Sequence, residues 1–359
     1  MANGRSNALI FVSGAARSGT TLMRSLLSAH SRIIVPPETH FFNGAAARTS
    51  LRAATAAEVE RFIAAYANEQ RFHDLGIEEA DWRRCLKEGG AETFAAAFSA
   101  LMAAYGQAHG KPRVGEKTPN HVAFIDFLLE CYPDCRIIVL RRDPRGVVAS
   151  QLKSPWVARE ITPPSLRYGL FVDTRWRQLV SAASQWTDIY GRIIPAVEED
   201  PRVFVLSYET LVGDAEGVMR RVCDFIGESF EPAMLAERTD ASVPRPAASD
   251  RMKDEHWRVW RERHHSRSLQ PVSTDSLERW RSELAPLEVA AVEAICAAAM
   301  GEAGYGRVSA IHQRGAAAVA RPVLAGLERL EGAARQGARA AWRRLASSQA
   351  AVGRSRPSS

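Results

Sequence analysis

The chain has 359 residues, 46% hydrophobic and 25% charged, enough to bury a sizeable core in one large domain with an appendage. No apolar run approaches the roughly eighteen residues of a membrane-spanning helix, and the one after Asn7 is too short for a signal-peptide core. The formal net charge of +6 sits at one end, with nine arginines against two glutamates from Ala310 onward, so it is no sign that the body binds nucleic acid.

In chain order, the first signal is the stretch from Ala8 to Leu22. Its apolar run predicts a buried strand, Gly14 and Gly19 bracket a turn, and Leu22, Leu26 and Leu27 recur at helical spacing in a helix beginning at Ser18. Strand, glycine-bracketed loop and helix start together form an anion cradle. The unpaired N–H groups of the first turn and the positive end of the helix dipole converge there. The glycine spacing is that of a nucleotide P-loop, G-x-x-x-x-G-K-[ST], but Thr20 holds the lysine position. That lysine serves the β- and γ-phosphates of a nucleoside triphosphate. Its absence argues against ATP or GTP.

A second strand, Arg32 to Val35, ends at Pro36-Pro37. An alanine-rich helical stretch from Ala53 to about Ala108 is broken near Gly76 and Gly89-Gly90. A short strand at Arg113 to Gly115, a helical pattern from His121 to Cys131 and the β-branched strand Arg136 to Leu140 follow. Beyond these come a helix from about Arg145, a proline-punctuated loop from Ser154 to Ser165, a long helix from Asp173 to Val197 and a strand from Val203 to Leu206. Further helices fill Gly213 to Ile226 and Pro286 to Met300. Strands separated by helical stretches pair in parallel through crossovers. The expected fold is therefore α/β: a three-layer P-loop-type domain with a central parallel sheet over residues 1–309, plus a C-terminal helical extension over 310–359. Ligands then belong at the carboxyl ends of the strands.

Chemistry-bearing residues gather at those ends. Glu38 lies just past the second strand, its approach fixed by two prolines, and is well placed to take a proton from an attacking hydroxyl. Thr118-Pro119 reads as the start of the following helix, which would aim Lys117 into the site. Asp143-Pro144 after the fourth strand reads as a turn rather than a magnesium-binding acid. Residues 240–272, polar with His264-His265 adjacent, read as a mobile flap rather than a metal site.

Several segments carry a family resemblance. Arg17-Ser18-Gly19-Thr20-Thr21-Leu22 closely resembles the 5′-phosphosulfate loop of sulfotransferases that use 3′-phosphoadenylyl sulfate (PAPS), with Ala16 where these loops usually carry proline. Glu38-x-His40-Phe41-Phe42 and Glu116-Lys117-Thr118-Pro119 resemble segments of carbohydrate and glycosaminoglycan sulfotransferases, and Glu38 also stands where tyrosylprotein sulfotransferases place a glutamate. Arg142 to Ser150 resembles the 3′-phosphate segment of the family, and Ser207-Tyr208-Glu209-Thr210-Leu211 the segment whose tyrosine contacts adenine. Leu277-Glu278-Arg279-Trp280 is similar, loosely, to a segment that closes over the nucleotide.

The resemblance implies a cofactor set of Arg17, Ser18, Gly19, Thr20, Thr21, Arg142, Ser150, Tyr208 and Arg279. It implies Glu38 as general base, Arg17 and Lys117 beside the transferring group, and His40 bordering the acceptor pocket. A guanidinium fork plus a hydroxyl suits a terminal phosphate dianion, and a lysine offsets charge on the bridging oxygen. The implied reaction moves a sulfuryl group from PAPS to a hydroxyl or amine, on a carbohydrate or glycolipid by the lean of the Glu38 and Lys117 segments, and releases 3′,5′-ADP. No metal is expected, because a monoanionic group needs only arginine, lysine and backbone N–H groups. The rivals are a small-molecule P-loop kinase and a non-catalytic nucleotide-binding protein; the second would need neither Glu38 nor Lys117.

Five cysteines with no C-x-x-C pair fit buried thiols in a reducing compartment, so the expected location is cytoplasmic. In the tail, Val323, Leu327, Leu330, Ala334, Ala338, Trp342 and Leu345 form one apolar stripe after Pro322, beside Arg329, Arg335, Arg339, Arg343 and Arg344. A basic amphipathic helix of this kind suits an anionic inner-membrane surface. A helix packed on the body and an unstructured extension are the plainer readings.

Overall fold

The structure is a computed structural model and describes residues 8–46, 49–90, 92–154, 174–239, 262, 266 and 268–309. The basic tail 310–359, the loop beyond Ser154 and most of the expected flap, with His264 and His265, lie outside the described residues.

Five strands, β1 (Ile10–Gly14), β2 (Ile33–Ile34), β3 (Arg113–Lys117), β4 (Arg136–Arg141) and β5 (Val203–Ser207), form one sheet in the order β2-β3-β1-β4-β5. Every pairing is parallel. In register, Phe11 sits beside Ile137 and Val12 beside Ile138, so the two-residue period sends alternate side chains to opposite faces. Phe11, Ile137 and Val139 enter one hydrophobic cluster; Ile10, Val12, Ile138 and Leu140 enter the other. Burial on both faces explains why β1 and β4 read as continuous apolar runs.

One face is covered by α1 (Thr20–Ser28), which contributes Met23, Leu26 and Leu27, and by the helix Ala215–Ile226. The other face carries α2 (Phe41–Ala46), α3 (Ala56–Tyr66), α4 (Gln70–His73), α5 (Glu79–Gly89) and α6 (Phe94–Ala108), wrapped around Phe41, Phe42, Phe62, Tyr66, Trp82 and Phe98. Phe41 packs edge-on to Phe62 at 5.0 Å and to Tyr66 at 5.4 Å between ring centroids, an arrangement that aromatic quadrupoles favour. The breaks at Gly76 and Gly90 are left-handed turns, φ +64° and +69°.

Three expected helices differ in detail. The helix after the first loop starts at Thr20, because Ser18 closes a turn onto the Ala15 carbonyl with both N–H and hydroxyl, and Gly19 has φ +100°. The stretch from His121 to Cys131 is a 3-10 turn, Pro119–Phe124, followed by α7 (Ile125–Cys131). The long helix is α-helical only over Thr174–Asp188 and continues as a π turn, Ile189–Ile193, closed by Ile194 N donating to Ile189 O at 2.8 Å. All five cysteines are free thiols, four of them buried. Burial pushes the Cys223 and Cys296 thiols up to about 12.

Candidate active site

The carboxyl ends of β1, β3 and β4 open into a cleft of about 940 Å³ lined by Arg17, Thr20, Glu38, Lys117, Arg142 and Tyr208 among others. That is at the upper end of small-molecule sites and gives room for a nucleotide and part of a second ligand.

The loop after β1 is built for close approach. A Cβ on Gly14 would lie 2.4 Å from the Leu140 carbonyl, and one on Gly19 2.3 Å from the Tyr208 ring. Neither position tolerates a side chain. Between them Arg17 holds φ +77°, a conformation that costs a non-glycine residue of order 1–3 kcal/mol and gathers at ligand sites. At the α1 start, Gly19 offers no side-chain cap, leaving the first-turn N–H groups to face the cleft. Arg17 Nε donates to Ser150 Oγ at 3.0 Å, across from the helix α8 (Pro144–Leu152).

Arg142 ends β4. Its guanidinium stacks 4.5 Å over the Tyr208 ring and donates to Arg17 O at 3.3 Å and Ser276 O at 2.8 Å, while the Tyr208 hydroxyl shares a 2.6 Å hydrogen bond with Ser276. Arg142 and Ser150 thus line one cleft, but the bonded partner of Ser150 is Arg17. Arg279 also lines it, donating to Asp275 O. Arg145 does not point there. It is buried against Asp143 and Glu293 and stacked on Trp280, while Asp143 caps α8 as the turn reading required.

Glu38, His40 and Lys117 meet at the other end. Lys117 Nζ forms a short ion pair with Glu38 Oε1 and reaches within 3.5 Å of Thr21 Oγ1, so it links the loop to the carboxylate. His40 Nε2 lies 3.0 Å from Glu38 Oε2. The Lys117 side chain is 5% exposed and that of Glu38 31%, so an acceptor in the cleft can reach the carboxylate while the lysine stays enclosed. Burial alone would raise the Glu38 carboxyl, but the Lys117 ammonium and His40 beside it hold it well below the usual carboxylate range. Burial lowers the Lys117 ammonium, with Glu38 opposing. Arg24 Nε fixes the approach to Glu38 by donating to the Val35 and Pro36 carbonyls, and Phe41 and Phe42, both fully buried, anchor the chain just beyond it.

Residues 9–232 match the family model described as the sulfotransferase family. The chain belongs to the sulfotransferase family. It is 22% identical over 301 residues to protein-tyrosine sulfotransferase 1 of Danio rerio, covering 83% of this chain and 72% of that one. It is 26% identical over 270 residues to nodulation protein NoeE of Sinorhizobium fredii, covering 70% of this chain but only 60% of NoeE. Among solved structures, the sulfotransferase domain from the curacin biosynthetic pathway superposes with a TM-score of 0.53 at 18% identity, over 85% of this chain and all of that one. That likeness shows a shared fold.

Two supports of this sulfotransferase cleft were invisible to sequence reasoning. The Tyr190 hydroxyl, on the π turn, accepts from Ala15 N at 2.9 Å and donates to Leu140 O at 2.5 Å, pinning the loop after β1 to β4. One helical turn earlier, Trp186 Nε1 donates to Arg142 O at 2.9 Å. The π turn was the available signal, and it leaves no mark in apolar spacing. Tyr190→Phe strands a buried N–H and a buried carbonyl, so it is expected to lower unfolding stability by about 1–3 kcal/mol. Urea unfolding with an unchanged midpoint would show that the clamp carries no load.

Proposed function

We propose that this chain transfers a sulfuryl group from PAPS to a hydroxyl of a polar, carbohydrate-type acceptor, releasing 3′,5′-ADP. The observation that carries the reading is Lys117 standing between Glu38 and Thr21, with the base on one side and the anion loop on the other. The glycine-lined cradle and the cationic residues around it fit a phosphosulfate. PAPS when bound supplies an activated sulfuryl group on a good leaving group. The Glu38 carboxylate takes the acceptor proton as the new sulfur–oxygen bond forms. As the old bond breaks, Lys117 and Arg17 offset the charge on the departing oxygen, and Arg142 and Ser150 hold the 3′-phosphate. Proton uptake by Glu38 weakens its hold on Lys117 just when that ammonium is needed elsewhere.

His40 borders the acceptor end. Asn120, Gln178 and Gln185 line the cleft together with Arg71 and Lys153, a polar wall suited to a hydroxyl-rich acceptor. The relatives' names include protein-tyrosine sulfotransferase, so tyrosyl peptides belong in the same screen.

Incubation with labelled PAPS and a panel of sugars, glycolipids, phenols and tyrosyl peptides tests the reading. Label transfer to a carbohydrate hydroxyl is expected, and exclusive labelling of tyrosyl peptides would overturn the acceptor class. Calorimetry in parallel is expected to show PAPS binding without magnesium and far above ATP. Tight, magnesium-dependent ATP binding would favour a kinase instead.

A further inference from the structure

The buried group that this mechanism leaves unused is Glu116. It neighbours Lys117 on β3, and the strand's two-residue period sends it away from the cleft, where it is 1% exposed. A buried carboxylate is costly unless well bonded. Here Oε1 accepts from the Thr39 hydroxyl at 3.0 Å and the Thr118 hydroxyl at 2.5 Å, and Oε2 from His121 Nδ1 at 2.9 Å. Thr39, Thr118 and His121 are themselves fully buried. His121 Nε2 has no hydrogen-bond partner, so the chain of bonds ends there.

We propose that Glu116 is a positioning residue that holds Glu38, His40 and Lys117 in register through the hydroxyls of Thr39 and Thr118; the inference rests on the reading of Glu38 as the base. The direction of the bonds carries it. An ionised carboxylate only accepts, so both threonine hydroxyls must donate to Glu116 and offer their lone pairs elsewhere. Thr118 Oγ1 then accepts from His40 N at 3.2 Å and Thr39 Oγ1 from Phe41 N at 3.3 Å. Thr39 lies between Glu38 and His40, and Thr118 directly follows Lys117. One carboxylate therefore ties together two segments nearly eighty residues apart. The same bonds hold His40 at φ +49°, a left-handed conformation that persists only where its surroundings over-determine it.

Thr118→Val removes the relay hydroxyl at nearly constant volume. With the acceptor that turns over fastest in the panel above, kcat is expected to fall about 10- to 100-fold while affinity for 3′,5′-ADP stays within about twofold. Thr118→Ser restores kcat. In a Glu38→Gln background the Thr118→Val loss is expected to vanish, because the group it positions no longer acts. A near-normal rate for Glu38→Gln alone would instead indict the assignment of the base and leave the network untouched. Glu116→Gln offers one oxygen to both threonines and an amide to the other tautomer of His121, so it should keep kcat within a few-fold. Hydrogen exchange at residues 38–42 supplies a readout independent of the acceptor, with faster exchange at His40 expected in Thr118→Val and not in Glu116→Gln. Unchanged exchange, a kcat loss matched by lost 3′,5′-ADP affinity, or a full additional loss in the Glu38→Gln background would overturn the proposal.

Discussion

Replacing Glu38 with glutamine is expected to lower turnover about 10²–10⁴-fold while leaving 3′,5′-ADP affinity nearly unchanged. The amide keeps the shape of the side chain but cannot take the acceptor's proton. The site in which it acts is preset: the carboxylate is ion-paired to Lys117, touched by His40 and reachable from the cleft. The folded-state pKa of Glu38 is depressed, so the carboxylate stays charged to lower pH than a free glutamate. The ion pair's contribution to stability is therefore complete above the unfolded carboxyl's pKa and is lost as pH falls through the lower folded value. The acid limb of kcat/KM is expected below the ordinary carboxylate range. Near-normal turnover of Glu38→Gln would move the base role to His40, as would an acid limb centred near that of a free imidazole.

The wild type is expected to bind 3′,5′-ADP more tightly than AMP by about 1.5–3 kcal/mol, or roughly 10- to 150-fold, and Arg142→Ala to abolish most of the difference. The guanidinium of Arg142 is held by its stack on Tyr208 and by the Ser276 carbonyl, so its fork meets a phosphate with little rotamer freedom left to lose. Ser150 adds a hydroxyl that Arg17 already orients. Because Arg142 also donates to Arg17 O, its loss should slacken the sulfuryl end of the loop as well as the 3′ end. Arg142→Lys keeps the charge without the fork and should recover only part of the preference. Isothermal calorimetry with the two nucleotides decides the matter. Equal affinities in the wild type would remove Arg142 and Ser150 from 3′-phosphate recognition.

Both predictions start from residues legible in the sequence, for a physical reason. A strand, a tight turn and a helix start are local features, and their signals (apolar period, glycine at positive φ, proline at a helix start) act within a few residues. Gly14, Gly19 and the Asp143 cap could therefore be read directly. Parallel pairing also followed from chain order, since strands separated by helices have no shorter way to pair. The expectation that ligands gather at the carboxyl strand ends then placed Arg17, Glu38, Lys117 and Arg142 in one region before any distance was known.

Composition and spacing alone thus determined the chemistry available and the end of the sheet at which it collects. Tertiary structure decided which of those groups touch. The strand order β2-β3-β1-β4-β5 brings the ends of β2 and β3 together, making Glu38 and Lys117 partners across 79 positions of sequence. It gave Ser150 to Arg17 rather than to Arg142. It turned Phe41 and Phe42, noticed only as part of a motif, into the anchors that hold the base. It also placed Tyr190, Trp186 and Glu116 as braces. Such contacts depend on the path of the whole chain: a π turn, a side chain on the far face of a strand and a threonine shared by two segments have no period in the sequence by which to be recognised.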